Sequence, residues 1–245
     1  MADESCILLR GVEKSFGKKR ILENIHLAVP YGQIYGLLGP SGCGKSSAVK
    51  LIAGIWEATA GEVWVGGKRM PNLQLMRDIG YMAQSDALYG DLSARENLMF
   101  FGQLYGIERQ RMQKRIQEVI QVVDLTKNLD NPLDSFSGGM KRRLSLAMAI
   151  LHEPQILILD EPTVGIDPLL RRNIWRELYR MAEEGVTILI TTHVMDEAEK
   201  CGQLSMMRAG RLLASGTPEQ IKEKAGTDTI EDAFLYFSQE QGGGL

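Results

Sequence analysis

Apolar and polar positions along this chain follow two different periods, and the changes between them divide it. Over residues 21–29 the apolar side chains Ile21, Ile25, Leu27 and Val29 fall mostly on alternate positions, which predicts a half-buried strand. After the turn Pro30-Tyr31-Gly32, residues 33–38 are mostly apolar and predict a buried strand, with a helix over 48–53. Residues 61–67 predict another short strand closing in Gly66-Gly67, which with 21–29 makes an antiparallel patch beside an α/β core.

The period then lengthens. Ser93-Ala94-Arg95-Glu96 has the form of a capping box opening a helix. Beyond it Met112, Ile116, Val119, Ile120 and Val123 recur at helical spacing among Arg, Lys, Gln and Glu. No strand pattern interrupts residues 86–153, so they predict a helical insertion between two halves of an α/β core. Residues 98–105, dense in aromatics and Met, are either a partner surface or the packing of that insertion. Strand patterns return at 156–159 and 186–190, with Leu170, Ile174, Leu178 and Met181 striping a helix between them. Residues 204–215 read as two strands about Ala209-Gly210, Thr217-Pro218 caps a helix, and Ile230, Phe234 and Phe237 mark a last one before a loose tail at 241–244. The whole reads as one domain: 1–85, the helical 86–153, the returning core 154–225, and 226–245 as a C-terminal helix with its tail.

Composition narrows the class. At 245 residues the chain can bury a substantial core, and a net charge of −3 argues against gripping a nucleic-acid backbone. Three scattered cysteines, Cys6, Cys43 and Cys201, imply a reducing compartment without a disulfide framework. The first five residues do not resemble a signal peptide, and no apolar run approaches the roughly 20 residues of a membrane span. Action at a membrane would need another chain to supply the membrane part.

The candidate chemistry sits at the strand ends. Gly39-Pro40-Ser41-Gly42-Cys43-Gly44-Lys45-Ser46-Ser47 fits the phosphate-loop pattern, between a predicted strand and a predicted helix. Its glycines let backbone N–H groups turn inward on a polyphosphate, Lys45 would reach the β- and γ-phosphates, and the Ser46 hydroxyl would ligate magnesium. The apolar strand at 156–159 runs into Asp160-Glu161-Pro162. Asp160 there either holds magnesium through water and Glu161 activates a water as general base, or both are solvated loop acids. His193 closes a third strand and is either structural or a γ-phosphate contact. Phe16, ahead of Lys18-Lys19-Arg20, either stacks on a purine or packs as an ordinary aromatic. Asp167-Pro168 has the form of an N-cap with proline in the first turn.

The spacing of the phosphate loop, Gln84, Ser137-Gly138-Gly139-Met140-Lys141, Asp160-Glu161 and His193 resembles the ATP-binding-cassette ATPases over essentially the whole chain. Phe136 stands for that family's usual leading Leu in the signature motif and Met140 for its common Gln. The resemblance implies a P-loop NTPase core of RecA-like α/β type with an antiparallel β subdomain and an inserted α-helical subdomain. It implies ATP and Mg²⁺ as ligands, with Phe16 stacking on adenine. Gln84 would touch magnesium or the lytic water and couple to a transmembrane partner. Glu161 becomes the catalytic glutamate, His193 the switch histidine, and Asp167 part of a loop crossing a dimer interface. Ser137, Gly138, Gly139 and Met140 would contact the opposite protomer's ATP. One chain cannot aim both anion sites at one γ-phosphate, so two would pair head to tail, as a homodimer or with a paralogue.

Finer features resemble the ATPase subunits of exporters whose permease is a separate chain, moving drugs, lipids or polysaccharides. They are the run from Phe136 to Leu146, residues 98–106 and the ending Thr229-Ile230-Glu231-Asp232-Ala233-Phe234. Such a subunit would lie in the cytoplasm against the inner face of the membrane, held there by the permease. The competing readings are a nutrient-importer ATPase and a soluble cassette ATPase that remodels protein or nucleic-acid complexes. Tandem cassettes or a long coiled-coil insertion would favour the last, and the sequence has neither.

Overall fold

The computed structural model describes residues 5–84 and 87–240; the insertion boundary at residue 86, the loose tail at 241–244 and the first four residues lie outside them. The chain opens with β1 (Ser5–Phe16) and β2 (Lys19–Pro30), an antiparallel pair, followed by β3 (Ile34–Leu38) and α1 (Lys45–Ile52). Next come β4 (Ala60–Val65), β5 (Lys68–Arg69) and β6 (Ile79–Met82). The helices α2 (Ala94–Leu104), α3 (Arg109–Val122) and α4 (Gly138–Ile150) precede β7 (Ile156–Asp160). The rest runs α5 (Pro168–Glu183), β8 (Thr187–Thr192), α6 (Met195–Ala198), β9 (Gln203–Arg208), β10 (Arg211–Gly216), α7 (Pro218–Ala225) and α8 (Ile230–Glu240).

Among the described residues these strands make two sheets, one ordered β2-β1-β4-β5 and antiparallel, the other β10-β9-β3-β8-β7-β6. The neighbours β9-β3-β8-β7-β6 run parallel, and β10 returns antiparallel on β9. Period-two alternation splits β6, β7, β8 and most of β3 between two apolar clusters, and a third gathers Leu38, Leu204 and Met206 with residues of α6, α7 and α8. Leu157, Leu159, Ile188 and Ile190 join the residues of α2–α5. Their alternates Ile156, Ile158, Leu189, Tyr35 and Leu37 join α1 and the antiparallel sheet. Both faces are covered, which is why β3, β7 and β8 are buried throughout. At roughly 1.5–3 kcal/mol for each large apolar side chain fully buried, these short strands contribute more than their length suggests. The helical stretch packs into the same apolar cluster as one face of that sheet.

The capping signals act as read. Ser93 and Glu96 bond reciprocally at the start of α2, and Asp167 accepts from Leu170 N at 3.0 Å to start α5, with Pro168 in its first turn. Thr217 caps α7, and its N3 partner Gln220 completes a box. The stretch 98–105, open between a partner surface and packing of the insertion, divides: Leu98 is fully buried, whereas Phe100 and Leu104 are 43% and 68% exposed.

Three strands escaped the sequence pattern, the two-residue β5 among them. β1 is an inner strand of the antiparallel sheet, but Gly11, at φ 57°, shifts its register between Leu9 and Val12 and breaks the alternation. β6 is short and holds Gly80, where an added Cβ would lie 2.1 Å from the Ala149 carbonyl of α4. Only glycine lets that helix lie so close to the strand.

Candidate functional site

The carboxyl ends of β3, β8 and β7 lie side by side, and each delivers a group that the sequence singled out. β3 ends in the phosphate loop, whose Gly39 N donates to Thr192 O of β8 at 3.1 Å. Gly39 is buried against β9, where a Cβ would stand 2.2 Å from the Met207 carbonyl. Gly42 and Gly44 have φ of 78° and 113°, angles that favour glycine. Gly44 is the N-cap of α1 and offers no side chain, so the first-turn N–H groups need an acceptor from outside the helix. Ser46 and Ser47 are half-buried in that turn, and Pro40 and Ser41 are exposed on the loop.

Three ionisable side chains converge beside the loop. Lys45 is 4% exposed and its Nζ donates to Gly39 O at 2.7 Å and Pro40 O at 3.1 Å. The same Nζ lies 3.5 Å from Glu161 Oε1, and His193 Nδ1 lies 3.1 Å from that oxygen. Glu161 is a non-glycine residue at φ 55°, a conformation costing about 1–3 kcal/mol that persists only where the surroundings enforce it. They do: Glu161 N donates to Thr191 O and to Thr191 Oγ1, both at 3.1 Å.

Asp160 supplies the test for a metal. It is fully buried; its Oδ1 accepts from Thr191 Oγ1, while Oδ2 has no protein partner. A buried carboxylate oxygen without a donor is costly, and a hard cation or its coordinated water satisfies it. The donor set of Asp160 and the Ser46 hydroxyl therefore fits Mg²⁺. Tyr81 on the neighbouring strand titrates only at about 12, raised by burial and then by the Asp160 charge.

The second group of predicted residues faces outward. Ser137 is the N-cap of α4, its Oγ accepting from Met140 N at 3.2 Å, and Ser137 and Gly138 are exposed. The exposed loop of Val164, Gly165 and Asp167 lies alongside: a Cβ on Gly139 would be 3.6 Å from the Gly165 carbonyl. Gln84, exposed just beyond β6, is joined through its carbonyl to Arg142 at 2.8 Å. Phe16 is 48% exposed, edge-on to Trp56 at 5.0 Å, with Lys14 Nζ 4.9 Å from its ring centroid.

A sequence profile of the ABC transporter family matches residues 22–164, the stretch holding the phosphate loop, the signature segment and both acids. The chain belongs to that family. It is 38% identical, over 239 residues and 95% of its length, to the probable multidrug ABC transporter ATP-binding protein YbhF of Escherichia coli, of which it spans 41%. The linearmycin resistance ATP-binding protein LnrL of Bacillus subtilis is 39% identical over 89% of this chain and 71% of its own length. The Nod factor export ATP-binding protein I of Rhizobium meliloti is 40% identical over 91% and 68%. A solved ATP-binding subunit of an ABC transporter superposes with a TM-score of 0.89 at 26% identity, covering 96% of this chain and all of that one. The bacterial cassette MJ0796, solved as a dimer, superposes at 0.81 and 26% identity over 86% and 98%.

This ABC cassette also uses residues that the sequence reading passed over. Glu197 of α6 is 2% exposed and accepts from Thr192 Oγ1 at 2.8 Å and from Thr163 Oγ1, tying the segment after Glu161 to the one before His193. Arg142 of α4 donates to carbonyls at the ends of β6 and β7. One signal was available: Lys141-Arg142-Arg143 places cations near a helix N-terminus, against the dipole, and such charges need partners elsewhere in the fold.

Proposed function

We propose that this chain hydrolyses ATP as one of a pair of cassettes and so powers export through a separate membrane permease. The observation that carries the reading is the meeting of Lys45, Glu161 and His193 at the mouth of the phosphate loop. Loop N–H groups and Lys45 bind the triphosphate, and Phe16 stacks on the adenine. Asp160 and Ser46, with Gln84, would hold Mg²⁺, which would supply neutralisation of phosphate charge. Glu161 takes the proton of the attacking water, and His193, hydrogen-bonded to it, fixes its direction and faces the γ-phosphate.

The exposed Ser137–Gly139 segment, beside Asp167, is supplied to the nucleotide of a partner cassette in a head-to-tail pair, as a homodimer or with a paralogue. The dimeric MJ0796 cassette supports pairing, and the names of the multidrug, linearmycin resistance and Nod factor export relatives support export over import or soluble remodelling. No helix among the described residues is long and apolar enough to cross a membrane. The permease docks on the exposed Phe100 and Leu104, beside a 350 Å³ apolar hollow lined by Ile55, Met76, Ile79 and Tyr81. That contact holds the cassette at the cytoplasmic face of the membrane.

The test is Mg²⁺-dependent ATP turnover by the purified chain and by Lys45→Ala. The variant should lose nucleotide affinity and turnover by about 100-fold or more, since a buried charge-assisted contact to phosphate is removed. Unchanged binding would mean that the loop is not a phosphate cradle.

A further inference from the structure

Arg142 lies one turn into α4 from the signature segment, and its guanidinium reaches across to two strand ends. Nη1 donates to Ala83 O at 2.9 Å and Gln84 O at 2.8 Å; Nη2 donates to Glu161 O at 2.6 Å and to Asp160 O. The first pair of carbonyls follows β6 and the second closes β7. A guanidinium suits this task because it is planar, always charged, and carries five N–H donors in a fixed fork. One side chain thereby fastens three segments: the helix that starts at Ser137, the segment carrying Gln84, and the peptides on either side of the Glu161 α-carbon.

That last attachment bears on catalysis. Glu161 sits at φ 55°, and its main chain is held at the N–H by Thr191 and at the carbonyl by Arg142. Release of the carbonyl frees the strained peptide to relax and re-aims the carboxylate. In the other direction, α4 cannot pivot without pulling on Glu161 and Gln84.

We propose that Arg142 is a positioning residue that makes the signature segment offered to one nucleotide and the carboxylate acting on the other a single mechanical unit, coupling the two ATP sites of a cassette pair. This rests on the head-to-tail reading above. A two-position element biased by both sites is what coupling requires, and the fork supplies its joint.

The test compares Arg142→Met, which keeps the stem, and Arg142→Lys, which keeps the charge without the planar fork. Initial ATPase rates against ATP concentration give kcat, half-saturation and Hill coefficient, and thermal melting monitors the fold. Expected is a fall in Hill coefficient from about 2 toward 1 and a loss of about tenfold in kcat for Arg142→Met, with half-saturation within about twofold. Arg142→Lys should fall between, and it carries the test alone if Arg142→Met does not fold. Wild-type cooperativity and kcat in both variants would overturn the proposal. So would losses that merely track the folded fraction, or a wild-type Hill coefficient of 1. ATP-driven dimerisation of Glu161→Gln, read by size-exclusion chromatography, separates the two layers. If that dimer never forms, the paired-cassette reading fails and takes the coupling with it. If it forms and Glu161→Gln/Arg142→Met forms it equally, with cooperativity intact in Arg142→Met, only the clamp fails.

Discussion

Glu161→Gln removes a charge while keeping shape, and the contacts of that carboxylate predict two effects of opposite sign. Its Oε1 is shared between His193 Nδ1 at 3.1 Å and Lys45 Nζ at 3.5 Å. As general base it is worth about 10²–10⁴ in rate, so kcat should fall by that factor, roughly 3–5 kcal/mol on the barrier. As partner of Lys45 it competes with phosphate for the amine. Unit charges at that separation attract by roughly 5 kcal/mol at an effective dielectric of about 20. The amine keeps Gly39 O at 2.7 Å and Pro40 O at 3.1 Å, and glutamine still offers a dipole. Only about 1–2 kcal/mol is therefore released toward the triphosphate, and ATP should bind about 5–30-fold more tightly to the variant.

Calorimetric titration with MgATP, beside single-turnover hydrolysis, measures both effects on one preparation. Glu161→Ala is the comparison, since it loses the His193 hydrogen bond as well as the charge. Undiminished hydrolysis in Glu161→Gln would reject Glu161 as the base. Equal or weaker ATP binding would show that the Lys45 ion pair does not compete with nucleotide, and the electrostatic half of the reasoning would fall.

Three further outcomes follow from burial. Burial pushes the Cys43 thiol up despite the opposing pull of Lys45, so maleimide labelling should be slow at pH 7, accelerate with pH and be suppressed by ATP; a fast, ATP-indifferent reaction would contradict its place in the loop. Burial pushes the His152 imidazole from 6.5 down to about 4, so its contribution is full above pH 6.5 and is lost as pH falls toward 4, about 3 kcal/mol in all; urea unfolding at pH 7.5 and 5 should show about 2 kcal/mol of the loss, and His152→Phe, which keeps an aromatic against Tyr105, should flatten it. Gly39→Ala should destabilise by about 1–3 kcal/mol because its Cβ meets the Met207 carbonyl at 2.2 Å, whereas Gly42→Ala, with open space around its Cβ, should cost only the backbone strain of about 1 kcal/mol; equal unfolding midpoints would contradict the packing argument.

What could be read from the sequence was whatever a local pattern must satisfy by itself. A phosphate loop is nine consecutive residues, an apolar strand ending in two acids is another short run, and the caps at Ser93, Asp167 and Thr217 bond within one helical turn. The unread parts are those in which a residue answers to a distant backbone. Gly11 looks like a breaker in a strand, yet an added Cβ on Gly61 would lie 2.2 Å from the Gly11 carbonyl, so β1 and β4 meet there with no room for a side chain on Gly61. Gly80 looks equally unsuited to β6 until the Ala149 carbonyl is brought against it. Arg142 is the extreme case, since its fork meets the carbonyls of Ala83, Gln84, Asp160 and Glu161, a group that every residue carries and no spacing can mark. Glu197 differs because Thr163 and Thr192 are ordinary hydroxyl partners, but they lie on segments that only the sheet order brings together. The residues proposed for the chemistry could therefore be named from the chain, while the partners that hold their backbone in place depend on the fold for their meaning.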